Sequence, residues 1–553
     1  MSTVNTLPQG ASRYDYLIVG GGTAGCVLAS RLAEYLPSKT ILLIEGGPSD
    51  VGNDAVLTLR RCVDLIATDL DYDYPIHPQE RGEPSNPKSQ LTFVQGNSHI
   101  RMSRAKVLGG CSSHNDSVTI RPFEYDCRQF EKLGATGWGW NTFDRMFKKL
   151  RTRFQTVDAQ HQNQLMKDWI QSASKSLDVP IIDGFNDAIA DQGNPSSGAG
   201  FITVSYTPDD GKRSSASVAY IHPILFGKEP RPNLTVLTET WVKKVNLLGD
   251  EVTGVSVQLK SGEERTLYAS QETILSAGAV DTPRLLLLSG IGPADHLDSV
   301  SIPVKKHIPG VGENLMDHPE TVLVWEMHGP PPKECVMEAD AALWIRTQPV
   351  NRIDNDYGAD VQMHVYQLPY VTNTERLGYA VPEHAFSMMP CVTRSKSRGR
   401  IFLYSNDPLQ KPALDFRYFT DPEGYDEKVV VAGVKAARKI AQQKPFCDWI
   451  KKEVAPGPEV QSDNALSEFA RKAGGTVFHP AGTAKMGNLD ADPMAVVDPQ
   501  LRVRGLNRLR IVDASVFPTM VTVNPMVTIL CIAERAAELI ASEKGWKENK
   551  LHL

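Results

Sequence analysis

Apolar runs and breaks alternate from the start of the chain. Tyr14–Val19 is a short β-rich run, Gly20–Gly25 interrupts it, and Cys26–Tyr35 places apolar residues at helical spacing. Thr40–Ile44 is a second buried run, so the N-terminus predicts a β-α-β unit. Trp241–Leu248, Val252–Leu259 and Arg265–Ala269 alternate apolar and polar residues around Gly-Asp-Glu and Lys-Ser-Gly-Glu-Glu breaks. They predict an antiparallel meander, with Ile274–Ser276 a further parallel strand. Between residues 320 and 405 the pattern changes. Thr321–Met327, Ala341–Arg346, Asp360–Tyr366, Ala385–Cys391 and Arg400–Ser405 predict a mostly antiparallel sheet, and Tyr425–Gln442 and Asn464–Lys472 have helical spacing. A last helix runs to about Ile540, with Asn524 suited to its N-cap and Pro525 to its first turn. Parallel α/β at both ends and antiparallel β between them describe a cofactor domain interrupted by a substrate domain.

The 553 residues are enough for two such domains. A net charge of −6 without a basic run gives no surface for nucleic acid. The longest apolar runs, such as Ile41–Ile44 and Leu285–Leu288, are too short to span a bilayer. Met1–Ser12 has no charged start followed by an apolar stretch, so no signal peptide is expected. Eight scattered cysteines without a CxxC pair fit reduced thiols, a cytoplasmic location and no metal site.

Gly20-Gly21-Gly22-Thr23-Ala24-Gly25 is a G-x-G-x-x-G between the first strand and helix. Gly20 permits the tight turn, Gly22 lets the backbone approach a pyrophosphate, and Gly25 allows close helix–strand packing. The phosphate then meets free N–H groups at a helix N-terminus. Glu45 ends the second strand, where a carboxylate accepts from ribose hydroxyls and repels a 2′-phosphate, which argues against NADP.

Three further segments are Arg104-Ala-Lys-Val-Leu-Gly-Gly-Cys-Ser-Ser-His-Asn115, Gly278–Pro293 and Val512-Asp-Ala-Ser-Val-Phe-Pro518. In the second, Asp281-Thr-Pro283 is expected to cap a helix that ends at Ser289-Gly290. In the third, Asp513 is expected to cap a turn beside phosphate. Phe478-His-Pro-Ala-Gly-Thr483 sets His479 among small residues.

Together these segments resemble the glucose–methanol–choline oxidoreductases, over about Tyr14 to Ile540. The resemblance implies an α/β fold: a Rossmann-like FAD-binding domain (1–170, 208–319 and 477–553) with an inserted α+β substrate domain (171–207 and 320–476) on a mostly antiparallel sheet. It implies FAD contacts at Gly20, Gly22, Thr23, Ala24, Gly25, Glu45, Gly109, Gly110, Ser113, Asn115, Val242, Asp513, Ala514, Asn524 and Pro525. The likeness is strongest to the choline-oxidising members, carried by segments such as Asp71-Tyr-Asp-Tyr-Pro75, Arg213-Ser-Ser-Ala-Ser-Val218 and Asp317-His-Pro-Glu320. It implies catalytic roles for His479, Asn524 and His364, a cation-holding role for Glu320, and a pocket position for His318.

Two departures stand out. The histidine that links the flavin covalently in those members is matched by Met102, with His99 out of register, so FAD is expected to be non-covalent. Their ammonium-binding tryptophans are matched by Cys62 and a position near Ala339–Ala341, with Trp344 a few places away.

The expected reaction moves a hydride from a small primary alcohol to flavin N5 and yields an aldehyde. Either His479 or His364 serves as base, and O2 or another acceptor reoxidises the flavin. An aryl-alcohol oxidase or dehydrogenase and a flavin-containing hydroxynitrile-lyase-like enzyme are the alternatives on this fold. The resemblance also implies a homodimer.

Overall fold

The computed structural model describes residues 12–77, 100–349, 358–370 and 372–548; His99 lies outside them. A seven-stranded sheet carries the N-terminal β-α-β unit. Its strand order is Leu234–Leu237, Ile41–Ile44, Arg13–Val19, Glu264–Leu275, Glu251–Gln258 and Trp241–Leu248, and Leu509–Ile511 also pairs with Glu264–Leu275. The central strands are parallel and buried along their length, as an all-apolar Ile-Leu-Leu-Ile strand requires. The helix Thr23–Tyr35 packs on them. Gly25 makes this possible, because a Cβ there would lie 1.9 Å from the Gly20 carbonyl oxygen.

The predicted meander is present, but Ile274–Ser276 is not a separate strand. It is the end of one 12-residue strand, Glu264–Leu275. That strand pairs antiparallel with Glu251–Gln258 at its start and parallel with Leu509–Ile511 at its end. The polar residues between its halves look like a break in the sequence, yet the backbone runs through them.

The second, eight-stranded sheet is antiparallel throughout. Its order is Ile450–Ala455, Leu323–Met327, Ala385–Val392, Val361–Tyr366, Ala341–Ile345 and Gly198–Phe201, with Pro319–Glu320 joining Ala385–Val392 to Gly475–Thr476. Helices Gln164–Leu177 and Tyr425–Ala441 pack together beside it. Gly399–Phe402, expected in this sheet, instead pairs with Glu313–Leu315 and Ala413–Asp415 in a three-stranded sheet of its own.

Two helix starts differ from expectation. The helix Gly278–Leu288 begins before Asp281. Asp281 binds Arg284 and the Tyr74 hydroxyl, and Asp513 accepts from the Gly278 N–H at 2.9 Å. A distant carboxylate therefore takes over the capping that the local sequence offered. The C-terminal helix Met526–Ser542 is preceded by Pro525 at the cap position, and the Asn524 side chain does not cap it. No helix among the described residues is long and apolar enough to cross a membrane.

Candidate active site

Two cavities meet between the sheets. The first is lined by Gly20, Gly22, Thr23, Ala24, Glu45, Gly110, Val242, Asp513, Ala514 and Pro525 from the expected cofactor set. Gly25, Gly109 and Ser113 stand behind its wall; Ser113 Oγ lies 3.4 Å from Ser217 Oγ. The second cavity takes Asn115, Glu320, His364 and Asn524. Thr23, Arg104, Cys111, His479, Pro525 and Ile529 line both and mark the junction.

The first cavity suits a dinucleotide. A Cβ on Gly22 would meet no protein atom nearer than 3.8 Å, so a side chain there would fill cleft space. The helix behind Gly22 has no side-chain cap and no acidic residue in its first turn, so its N–H groups are available to an anion. Gly110 (φ +54°) closes over it: a Cβ there would lie 2.6 Å from Gly22 Cα, and only glycine fits. Trp241 Nε1 and Ser276 Oγ line the cleft buried and without a hydrogen-bond partner. The Glu45 carboxylate accepts from Gly21 N–H at 2.8 Å and Gly47 N–H at 2.7 Å. Burial nevertheless pushes its carboxyl up to about 7, so a ligand donor would favour the charged form.

The side chains expected to be catalytic, with their neighbours, converge at the junction from four stretches of chain. His318 Nε2 lies 2.9 Å from the Val521 carbonyl, which can only accept, so Nε2 carries the proton and Nδ1 is free to accept. His318 Nδ1 sits 2.8 Å from His479 Nδ1. That contact requires the proton on His479 Nδ1 and leaves the Nε2 lone pair of His479 facing Asn524 Nδ2 at 3.5 Å.

The Asn524 amide is oriented in turn, because its Oδ1 accepts from Gln362 Nε2 at 3.0 Å. The same Gln362 nitrogen donates to His364 Nε2 at 2.8 Å. His364 therefore carries its proton on Nδ1, a buried atom without a partner beside the second cavity.

Burial holds all three imidazoles below the ordinary histidine range. His318 and His364 fall to about 4, with the Val521 and Thr393 carbonyls opposing burial at His318 and the Asp116 charge opposing it at His364. His479 is well below 6.5, from burial and then the nearby His318, Arg104 and His364 charges. All three are neutral near pH 7.

The His479 backbone is pinned. Asp317 accepts its N–H at 2.9 Å and binds the Tyr418 and Thr476 hydroxyls, and Arg104 donates to the Phe478 carbonyl. Phe478, at φ +63°, is held in the left-handed region by these contacts.

The second cavity is polar at its far side. Glu320 is 7% exposed and has no ion pair among the described residues. Burial, then the charges of Asp317 and Asp116, raise its carboxyl well above the usual range. Asp116, Tyr366 and Tyr370 line the same cavity, and Tyr366 Oη donates to Asp116 Oδ2 at 3.0 Å. Cys62 lines it too, whereas Trp344 is buried elsewhere against Phe123 and Phe185. Met102 is fully buried.

Sequence reading missed Gln362, Asp116, Tyr366 and Arg104 as site groups. Gln362 and Tyr366 flank His364 at the two-residue period of a strand, which was the available signal. Asp116 directly follows the quoted loop.

Two family models, both described as GMC oxidoreductase, match residues 14–320 and 395–533. Choline oxidase of Arthrobacter globiformis is 40% identical, covering 96% of this chain and 95% of that protein. Alcohol dehydrogenase [acceptor] of Pseudomonas putida is 33% identical, covering 95% of each. Pyridoxine 4-oxidase from Mesorbium loti has a solved structure that aligns with a TM-score of 0.82 at 25% identity, covering 95% of this chain and 98% of that one.

Proposed function

The chain belongs to the GMC oxidoreductase family, and from that premise we propose that it uses FAD to oxidise a small primary alcohol to an aldehyde. The observation that carries this reading is the Val521–His318–His479 relay, which presents the unprotonated Nε2 of His479 at the junction of the two cavities.

Gly20, Gly22, Glu45, Gly110, Asp513 and Ala514 would hold the dinucleotide, with Thr23, Arg104 and Pro525 at the junction. When bound, FAD accepts the hydride. The chain's residues do the rest. His479 Nε2 takes the hydroxyl proton, as a neutral base positioned by His318. Asn524 Nδ2, held by Gln362, donates to the oxygen as negative charge grows on it, and His364 Nδ1–H supplies a second donor. Base and donors are set before substrate arrives, which reduces the cost of orienting them. The Glu320 carboxylate, unpaired in the far part of the cavity, attracts a cationic head group.

FAD is held without a covalent link, because a thioether stands at position 102 where choline-oxidising members carry the linking histidine. Acid precipitation should release the flavin into the supernatant; yellow colour retained in the washed pellet would contradict this. The eight cysteines are all free, which fits a reducing, cytoplasmic setting. A homodimer is the expected assembly, and light scattering on the purified chain decides it. The reaction itself is tested by mixing the holoenzyme anaerobically with a panel of small alcohols. Bleaching of the flavin absorbance is expected. A flavin left oxidised by the whole panel sinks the proposal and favours a lyase.

A further inference from the structure

The substrate cavity holds a second carboxylate, Asp116, beside Glu320. The Asp116 charge bears on Glu320. Neither forms an ion pair among the described residues. The guanidiniums nearby form no ion pair with either carboxylate among the described residues, although the Asp116 charge bears on Arg213. Arg104 donates to the Ser103 and Phe478 carbonyls. Arg213, behind the loop, donates through Nε and Nη1 to the Val56 and Asn115 carbonyls and the Ser117 hydroxyl, and its Nη2 has no hydrogen-bond partner among the described residues. Asp116 accepts from the Tyr366 hydroxyl, while Glu320, more than nine-tenths buried, has no donor. Two acidic groups lining one cavity favour a cation that brings N–H donors, because an oxygen left unmatched away from water costs more than a matched one gains.

A trimethylammonium head has no N–H to offer. Its usual partners are aromatic faces, which attract it through the ring quadrupole. The positions matching the ammonium-binding tryptophans are Cys62 and a residue near Ala339–Ala341, and Trp344 packs instead against Phe123 and Phe185. The aromatic residues present are Phe478, Tyr366 and Tyr370; the two tyrosine rings are 5.8 Å apart and tilted by 44°, and the Tyr366 hydroxyl is tied to Asp116. A protonated primary or secondary amine places two N–H groups at once, one for each carboxylate, and its positive charge strengthens both bonds.

Resting on the alcohol-oxidising reading above, we propose that this cavity selects a primary alcohol carrying a protonated primary or secondary amine, and that Asp116 is the residue that sets this preference over a quaternary ammonium. The hydroxyl end faces His479 and Asn524, and the amine end spans Glu320 and Asp116.

The test uses FAD-loaded enzyme and a series that differs in N–H count: 2-aminoethanol, 2-(methylamino)ethanol, choline, and neutral 3,3-dimethyl-1-butanol. kcat/KM should fall by roughly tenfold or more from the better of the two N–H amines to choline. Asp116→Asn should collapse that ratio toward one. Because the variant can fail to fold, the same ratio is also read on the unaltered enzyme as competition by two non-oxidised cations, where ethylammonium should inhibit at lower concentration than tetramethylammonium. A ratio below tenfold, a ratio that survives in Asp116→Asn, or tighter binding of tetramethylammonium overturns the proposal. Turnover of choline or the neutral alcohol at or above the rate of both amines overturns it while leaving alcohol oxidation standing. Failure of the whole series to reduce the flavin, the neutral alcohol included, removes the parent reading instead.

Discussion

The two cavities are made of different materials. The cleft proposed for the dinucleotide is built around backbone at Gly20, Gly22 and Gly110 and a helix end, with the acids Glu45, Asp281 and Asp513 in its lining, and part of it lies within the 26 residues from Gly20 to Glu45. The cavity proposed for the substrate draws its chemistry from side chains, Asp116, Glu320, His364, His479 and Asn524, which span more than 400 positions of sequence. A cleft of backbone tolerates no added bulk and is indifferent to most side-chain chemistry. A cavity of side chains tolerates small changes in shape but depends on each donor, acceptor and charge.

The sharpest way to break this contrast is at the base. His479→Ala should lower the rate of flavin reduction by roughly 10²–10⁴-fold, the range for losing a general acid–base, with FAD content retained. Near-normal reduction would move the role to His364 and remove the relay as a catalytic device.

Charge in the far part of the substrate cavity should matter next. In Glu320→Gln, the ratio of KM between a cationic alcohol and a neutral one of equal size should rise by roughly tenfold to a hundredfold. Acidity should mimic this change. The Glu320 carboxyl is raised, so it is neutral at low pH and gains charge only as pH rises through that higher value. KM for the cationic alcohol should therefore fall with rising pH relative to the neutral one. Parallel profiles for the two alcohols would show that Glu320 does not meet the head group.

The backbone cleft is probed by two glycines that should fail differently. Gly25→Ala sets a Cβ 1.9 Å from the Gly20 carbonyl oxygen and should prevent folding, read as loss of soluble protein. Gly22→Ala has room among protein atoms and should fold, with its circular dichroism unchanged and its bound FAD reduced. Equal FAD content in Gly22→Ala and the unaltered chain would show that the dinucleotide does not approach this backbone.

The smallest effect is expected at Glu45, whose carboxylate touches only the cleft. Glu45→Ala should weaken FAD retention several-fold, on the order of one lost hydrogen bond to a charged group. The FAD-loaded fraction should turn over at close to the normal rate. Full flavin with lost activity would place Glu45 in the chemistry.

The sequence by itself determined the parts whose information is local. The Gly20–Gly25 turn, the first helix, the second strand and Glu45 lie close together in sequence, and their spacing encodes the local shape and an expected nucleotide site. The antiparallel strands in the middle were legible for the same reason, since a short apolar run such as Leu323–Met327 or Ala385–Val392 is a property of one strand. Errors came where a distant group replaced a local one. Asp513 took the helix end that Asp281 was expected to cap, and Gln362 claimed the amide of Asn524 that was expected to cap the last helix. The single strand Glu264–Leu275 was split because its polar middle follows neighbours from both ends of the chain. Only the tertiary structure decided that His318 supports His479, that Gln362 joins His364 to Asn524, and that Asp116 shares a cavity with Glu320. Hydrogen bonds between side chains depend on distances of about 3 Å between residues far apart in sequence. No local pattern of polar and apolar positions specifies such a distance; the packing of the two sheets does.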